Sequence, residues 1–161
     1  MYNFNSVLSN FNVNGKLISC ERYGEGHINE TYLAKCDSAN GKVDYILQKI
    51  NDKIFSNVEG LMQNIKAVTE FNREKIIKKG GNPDREALSL IYLKDGSSYY
   101  HDEESDGYFR VYKFITDAIS YQVVEKPEHF YQSAVAFGEF QKNLKDYPAN
   151  ELFETIPNFH N

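Results

Sequence analysis

The spacing of apolar positions changes several times along the chain, and each change predicts an element. Phe4, Val7, Leu8 and Phe11 fall at i, i+3, i+4 and i+7, the stripe of a short amphipathic helix, which Asn14-Gly15 ends. Lys16 to Tyr23 alternates as a strand, with Ile18 and Cys20 on one face and Leu17 and Ser19 on the other. Thr31 to Cys36 reads as its return strand. The turn Asp37 to Lys42 holds Asn40-Gly41, which supplies positive φ, and Val43 to Ile50 completes an antiparallel meander. Ser56-Asn57-Val58-Glu59 has the form of a capping box with Ser56 as cap. It predicts a long helix to about Lys79, with Leu61, Ile65, Val68 and Asn72 as its buried stripe and Glu74–Lys78 as an i, i+4 pair. Gly80-Gly81 stops it. Leu88 to Leu93 and Tyr108 to Ile115 read as two more strands. After Pro127 a last helix runs to about Lys145, lined on one side by Phe130, Ala134, Phe137, Gln141 and Leu144.

Between the first two strands lies Tyr23-Gly24-Glu25-Gly26-His27-Ile28-Asn29-Glu30. Taken alone, two glycines one residue apart describe an ordinary hairpin turn. They also describe a loop whose backbone N–H groups lie over a phosphate, because glycine carries no side chain to hold a ligand away. On residue type alone His27 is a solvent-facing loop histidine. The acidic run Asp102-Glu103-Glu104-Ser105-Asp106 reads as a solvated hairpin loop in preference to a metal site, since like charges in sequence repel and stay in water.

Composition narrows the classes. A chain of 161 residues holds one domain, or one and part of a second. Hydrophobic residues at 41% allow a core. The net charge is −5 and the lysines are interleaved with acids, so no general affinity for nucleic acid is expected. No apolar run approaches the ~18 residues of a membrane helix, and the N-terminus lacks the charged-then-apolar order of a signal peptide. Cys20 and Cys36, on adjacent strands, are expected as reduced, half-buried thiols in a cytoplasmic protein.

Four segments carry a resemblance. They are Gly24-Glu25-Gly26-His27-Ile28-Asn29-Glu30-Thr31-Tyr32, Tyr45-Ile46-Leu47-Gln48-Lys49-Ile50-Asn51, Phe109-Arg110-Val111-Tyr112-Lys113-Phe114-Ile115 and Thr155-Ile156-Pro157-Asn158-Phe159-His160-Asn161. In this order they resemble the phosphotransferase family that includes aminoglycoside phosphotransferases, choline kinases and homoserine kinases, and within it the N-acetylhexosamine 1-kinase branch. The implied fold is α+β: a protein-kinase-like small lobe over residues 1–116, with a five-stranded antiparallel sheet and a long helix, then a hinge and the first helical part of an incomplete large lobe over 117–161. The implied ligand is ATP with Mg²⁺, and the implied substrate a sugar such as an N-acetylhexosamine. The resemblance sets the Gly24–Gly26 loop, with Glu25, over the phosphates and Thr31 on the strand that leaves it. His27 and Asn29 would stand near the transferred group and the sugar, and the backbone of Lys113, Phe114 and Ile115 would face the adenine edge. His160 resembles a lobe-packing residue.

In such a lobe a cationic side chain from the third strand meets the α- and β-phosphates, and a helix carboxylate holds it. Here alternation puts Ile46, Gln48 and Ile50 on one face and Leu47 and Lys49 on the other. If the first face points inward, Gln48 takes the lysine's place and pairs with a phosphate or with Asn64. The alternative turns Lys49 to ATP, paired with Glu59 or Glu70. Arg110, flanked by aromatics, reads as structural: stacked on Tyr108 or Tyr112, or bound to a backbone carbonyl.

Phosphoryl transfer also needs a carboxylate for the acceptor hydroxyl and carboxylates for Mg²⁺. No His-x-Asp-x-x-x-x-Asn, His-Gly-Asp or Asp-Phe-Gly occurs, so no catalytic or metal residue is assigned. The expectation is a fragment from a truncated or split gene, inactive alone, with the metal ligands in the absent lobe. The helix from Phe130 to Leu144 would then be uncovered, each large side chain forgoing roughly 1.5–3 kcal/mol of burial, with self-association or partial disorder beyond Asp117. Two rival readings stand beside this one: a non-catalytic nucleotide- or partner-binding module, and an α+β domain for an unrelated small ligand.

Overall fold

Six strands form one antiparallel sheet with helices against both faces, in the computed structural model, which describes residues 2–121 and 123–159. The order is α1 (Phe4–Ser9), β1 (Lys16–Arg22), β2 (Glu30–Ser38), β3 (Gly41–Ile50), α2 (Val58–Lys78), α3 (Pro83–Glu86), β4 (Leu90–Ile91), β5 (Tyr100–Asp102), β6 (Gly107–Lys113) and α4 (Pro127–Leu144). Neighbouring strands run β1-β2-β3-β6-β4, with β5 also on β6. The fold class is α+β. Among the described residues no helix is long and apolar enough to cross a membrane.

Pairing register decides which side chains share a face. Thr31 pairs with Gln48 and Gln48 with Arg110, so these three form one row across β2, β3 and β6. Tyr32, Leu47 and Val111 form the next row, on the opposite face. That opposite face packs under α1, where Val7, Leu8, Phe11, Ala34, Cys36, Leu47, Phe109 and Val111 close the larger core. The first face meets α2 through Ile50, Val58, Leu61 and Met62, with Leu90 and Tyr108 alongside. Leu47 and Ile50 are therefore both buried, from opposite sides of one strand.

Several sequence expectations shift. The sheet has six strands, not five, because the segment 94–107 contributes β5. The acidic run is the β5–β6 hairpin turn, with Glu103 and Glu104 exposed, as a solvated loop requires. The strand expected over Leu88 to Leu93 contracts to two residues. The chain there changes partner: Lys113 N donates to Ser89 O, whereas Asn12 N donates to Tyr92 O and Leu93 bridges to Phe11. Ile18 and Cys20 do not share a face. A bulge between Leu17 and Ser19 brings Leu17 and Cys20 to the same side, opposite Cys36 and Ala34, and leaves Ile18 60% exposed. The cap of α2 is Asn57 and not Ser56: Asn57 Oδ1 accepts from Gly60 N at 2.9 Å. Its far end closes with Gly80 at φ +77 and with Gly81 N donating to Ile76 O, the left-handed stop the two glycines predicted.

Residues 114–126 carry no helix or strand among those described. Asp117, at the expected lobe boundary, has φ +53. Beyond it, α4 runs against α2 only near its end. Asn143 Nδ2 donates to buried Asn72 at 2.9 Å, Lys75 pairs with Asp146 at 3.0 Å, and Phe71 meets Tyr147 edge-on at 5.2 Å. Phe153 N and O both bond the Asn64 amide. The apolar stripe of α4 is open: Phe130 and Phe137 are each 67% exposed. His160 lies outside the described residues.

Candidate functional site

The glycine loop is held at both ends and open in the middle. Tyr23 N donates to Thr31 O at 2.9 Å, which closes the hairpin at its root. Asn29 Oδ1 accepts from Asn51 N at 3.0 Å, and Asn51 Nδ2 donates to Ile28 O at 3.1 Å. The Asn29 side-chain oxygen thus ties the loop to the end of β3. Gly24 sits at φ +71, where a side chain would strain the backbone. Gly26 has no positive φ, and a Cβ there would meet nothing within 4 Å. The fold makes no demand for glycine at Gly26.

Below the loop's root, the row Thr31–Gln48–Arg110 is also a hydrogen-bond chain. Gln48 Nε2 donates to Thr31 Oγ1 at 2.9 Å, and Gln48 Oε1 accepts from both Nε and Nη2 of Arg110 at 3.0 Å each. Arg110 Nη1 reaches Met62 Sδ on α2 at 3.8 Å, and the guanidinium lies 5.5 Å from the centre of the Tyr112 ring. Arg110 is only 7% exposed. Burial pulls its pKa below the ordinary value, and the Tyr112 hydroxyl opposes the shift. No carboxylate lies within 4.0 Å of it among the described residues.

Register puts the two candidate side chains of the third strand on opposite faces. Gln48 is on the α2 side. Lys49 is on the α1 side, where its Nζ lies 5.2 Å over the Tyr2 ring and 3.9 Å from Glu30. The two partners expected for Lys49 are engaged elsewhere: Glu59 accepts from Gln63, and Glu70 from the Tyr92 hydroxyl. Asn64 does not reach Gln48 either, because it bonds both backbone groups of Phe153. Arg110 does stack on Tyr112, but its acceptor is the Gln48 amide and not a backbone carbonyl.

His27 is not gathered with this row. It lines a small groove of about 290 Å³ with Glu30, Lys49, Asp52 and Lys53. Glu30 is the charged hinge of that corner. Burial raises its pKa, but hydrogen bonds from the Tyr32 and Tyr2 hydroxyls and the charges of Lys49 and Arg22 outweigh it, and the net shift is downward. Glu25 is exposed on the loop.

At the other end of the sheet the connector leaves β6. Lys113 N is taken by Ser89 O and Phe114 N by Asp44 O. The Lys113 ammonium is held at 2.8 Å by Asp84, which also takes Arg73 at 2.9 Å. Arg85 donates to the Thr116 carbonyl. Ile115 alone of the three hinge residues has neither its N–H nor its C=O hydrogen-bonded among the described residues. The Phe114 ring meets the Tyr23 ring edge-on at 5.8 Å, so the first loop residue touches the connector. A cleft of about 630 Å³ opens there, lined by Ile18, Lys35, Val43, Asp44, Phe114 and Thr116 among others.

Two parts of this site escaped the sequence reading. The stacking of Arg110 on Tyr112 follows from the aromatics beside it in sequence, whereas its Gln48 partner lies across the ladder. Tyr23 ends a strand and opens the loop in sequence, but its contact with Phe114 is visible only in the fold. A groove of about 610 Å³ on the far side of Arg110, between α2, β6 and the end of α4, was likewise invisible. No protein-family model matches the chain.

Proposed function

We propose that the chain is the nucleotide-binding lobe of a small-molecule kinase that transfers the ATP γ-phosphate to a hydroxyl, with a sugar of the N-acetylhexosamine type as the acceptor class. The observation that carries this reading is the placement of an open, glycine-bearing loop directly beyond the Thr31–Gln48–Arg110 row. Gln48, which is bonded to Thr31 at the loop's root, and Arg110 beyond it would supply donors to the phosphates. The glycine at Gly26, which the fold does not need, is accounted for by close approach of a ligand. The unspent backbone groups of Ile115 suit the donor–acceptor edge of an adenine. Phosphoryl transfer is mostly positioning and charge stabilisation, which is what such a lobe supplies.

Acid–base and metal groups are not part of this reading of the chain. Mg²⁺ would arrive on the nucleotide. Equilibrium binding of Mg·ATP to the 161-residue chain tests the reading, together with an assay for sugar phosphorylation. Saturable nucleotide binding without turnover is the expected result. Absence of binding by a folded chain removes the reading in favour of an α+β domain for another ligand.

A further inference from the structure

Arg110 poses a physical problem that its neighbours do not solve. A guanidinium carries five N–H donors and a permanent charge. Three of those donors go to Gln48 Oε1 and Met62 Sδ. Neither acceptor is charged, and sulfur is a weak one. The side chain is over nine-tenths buried with no anion beside it among the described residues. Buried charges are ordinarily paired, because taking an ion out of water without a counter-charge is expensive. Tyr112 offers its ring face, which offsets only part of that cost. The remaining donors, one on each terminal nitrogen, form a fork of the kind that grips an oxyanion at two points.

The surroundings keep that fork accessible. Arg110 and Tyr112 line the 610 Å³ groove with a mainly apolar wall that includes Ile65, Val68, Leu88 and Phe140. Its polar residues Asn64, Thr69 and Asn72 are uncharged and already bonded within the chain, so Arg110 is its one cation among the described residues. Glu86 is the one acid on the groove wall, and its carboxylate is already bonded to the Asn82 amide at 2.6 Å. On the other side Gln48 connects Arg110 to Thr31 and so to the root of the glycine loop.

We infer that Arg110 is the cationic anchor of a phosphate site, reached across the sheet from β6 in place of a third-strand lysine, with Gln48 orienting it. Its ligand is a phosphate oxygen of a di- or triphosphate. The identity of the ligand rests on the nucleotide reading; the demand for an anion does not. Lys49, on the opposite face with Tyr2 and Glu30, takes no part.

Two probes separate the claims: sodium tripolyphosphate, which has charge but no base, and ATP. Each is titrated into the wild-type chain and into Arg110→Met and Arg110→Lys, with folding checked by circular dichroism and thermal midpoint. The ¹⁵N-detected Nε–H resonance of Arg110 is followed in the wild type. The expected result is that both probes move that resonance, that Arg110→Met weakens both at least tenfold with its thermal midpoint unchanged or raised, and that Arg110→Lys recovers part of the loss. Tripolyphosphate binding that depends on Arg110, with no preference for ATP, upholds the anchor and sinks the nucleotide reading. ATP binding that is the same in wild type and Arg110→Met overturns the anchor and leaves the nucleotide reading standing. A marked fall in the Arg110→Met midpoint with affinity intact identifies a structural arginine and overturns the proposal. No tripolyphosphate binding to the wild type overturns it as well.

Discussion

Both Nε and Nη2 of Arg110 donate to a single oxygen, Oε1 of Gln48, at 3.0 Å. The amide is therefore fixed in one orientation, oxygen toward β6 and nitrogen toward Thr31 on β2. A glutamine held this way cannot turn its oxygen toward the loop, so the face it shows to a ligand is that of a donor.

Gln48→Glu tests this pairing from both sides. A carboxylate beside Arg110 supplies the missing counter-charge, and the thermal midpoint rises by a few degrees, equivalent to about 1 kcal/mol. The same charge repels phosphate, so nucleotide affinity falls tenfold or more. Gln48→Leu leaves two arginine donors without an acceptor and costs about 1–3 kcal/mol of stability. A Gln48→Glu chain that binds ATP as well as the wild type does would break the link between this pair and the ligand.

Gly26→Val separates fold from function in the loop. A Cβ at this position meets nothing, and the φ is not positive. Chemical denaturation should place the variant within about 0.5 kcal/mol of the wild type, as expected for a surface substitution. Nucleotide binding should weaken clearly, because the backbone no longer lies close to the phosphates. Equal affinity would make the loop an ordinary hairpin.

The α2 cap makes a purely structural prediction. Asn57→Ala removes the bond to Gly60 N and costs about 1 kcal/mol, whereas Ser56→Ala costs little. Urea midpoints for the two variants decide between the neighbouring residues, and the reverse order would restore the Ser56 capping box.

Acid should loosen the sheet corners. The pKa of Asp84 is lowered from its ordinary 3.8 by hydrogen bonds from Lys113 and then Arg73. That of Glu30 is lowered from 4.5: burial opposes the shift, but the Tyr32 and Tyr2 hydroxyls with Lys49 and Arg22 prevail. A carboxylate whose folded pKa is depressed contributes its stability above the unfolded value and loses it as pH falls through the folded one. Stability is therefore flat from neutrality down to about pH 5 and declines below it. Both groups are well exposed, so each contributes about 1 kcal/mol or less. Thermal midpoints measured down the pH scale check the sign, and Asp84→Asn should remove part of the slope. A midpoint that climbs on acidification contradicts the assignment.

The open face of α4 predicts association. Phe130 and Phe137 are two turns apart on the same stripe and each 67% exposed. Sedimentation at rising concentration should show species heavier than a monomer, and Phe130→Asp with Phe137→Asp should shift them back toward it. A wild-type chain monomeric across the range excludes association through this face.

Much of this architecture is legible in periodicity. The meander, α2 with its Gly80 stop, and α4 after Pro127 follow from spacing and punctuation alone. What spacing cannot show is which second layer covers which face. Alternation separates Gln48 from Lys49, yet both faces of β3 are buried, by α1 over Leu47 and by α2 over Ile50, so hydrophobicity gives no inward direction. The bulge at Ile18 and the change of partner after Ile91 depend on backbone pairing distant in sequence. Arg110 belongs to the same class. That no carboxylate among the described residues lies within 4.0 Å of it is a fact of three dimensions, and no local pattern encodes an absence.

The most direct measurement is hydrogen exchange of the wild-type chain with and without saturating Mg·ATP, resolved over Gly24–Tyr32 and Lys113–Thr116. Slowed exchange is expected at both, the first because phosphates order the loop and the second because Ile115 gains a partner. Protection of neither segment, in a chain whose sheet amides exchange slowly, would contradict the nucleotide reading.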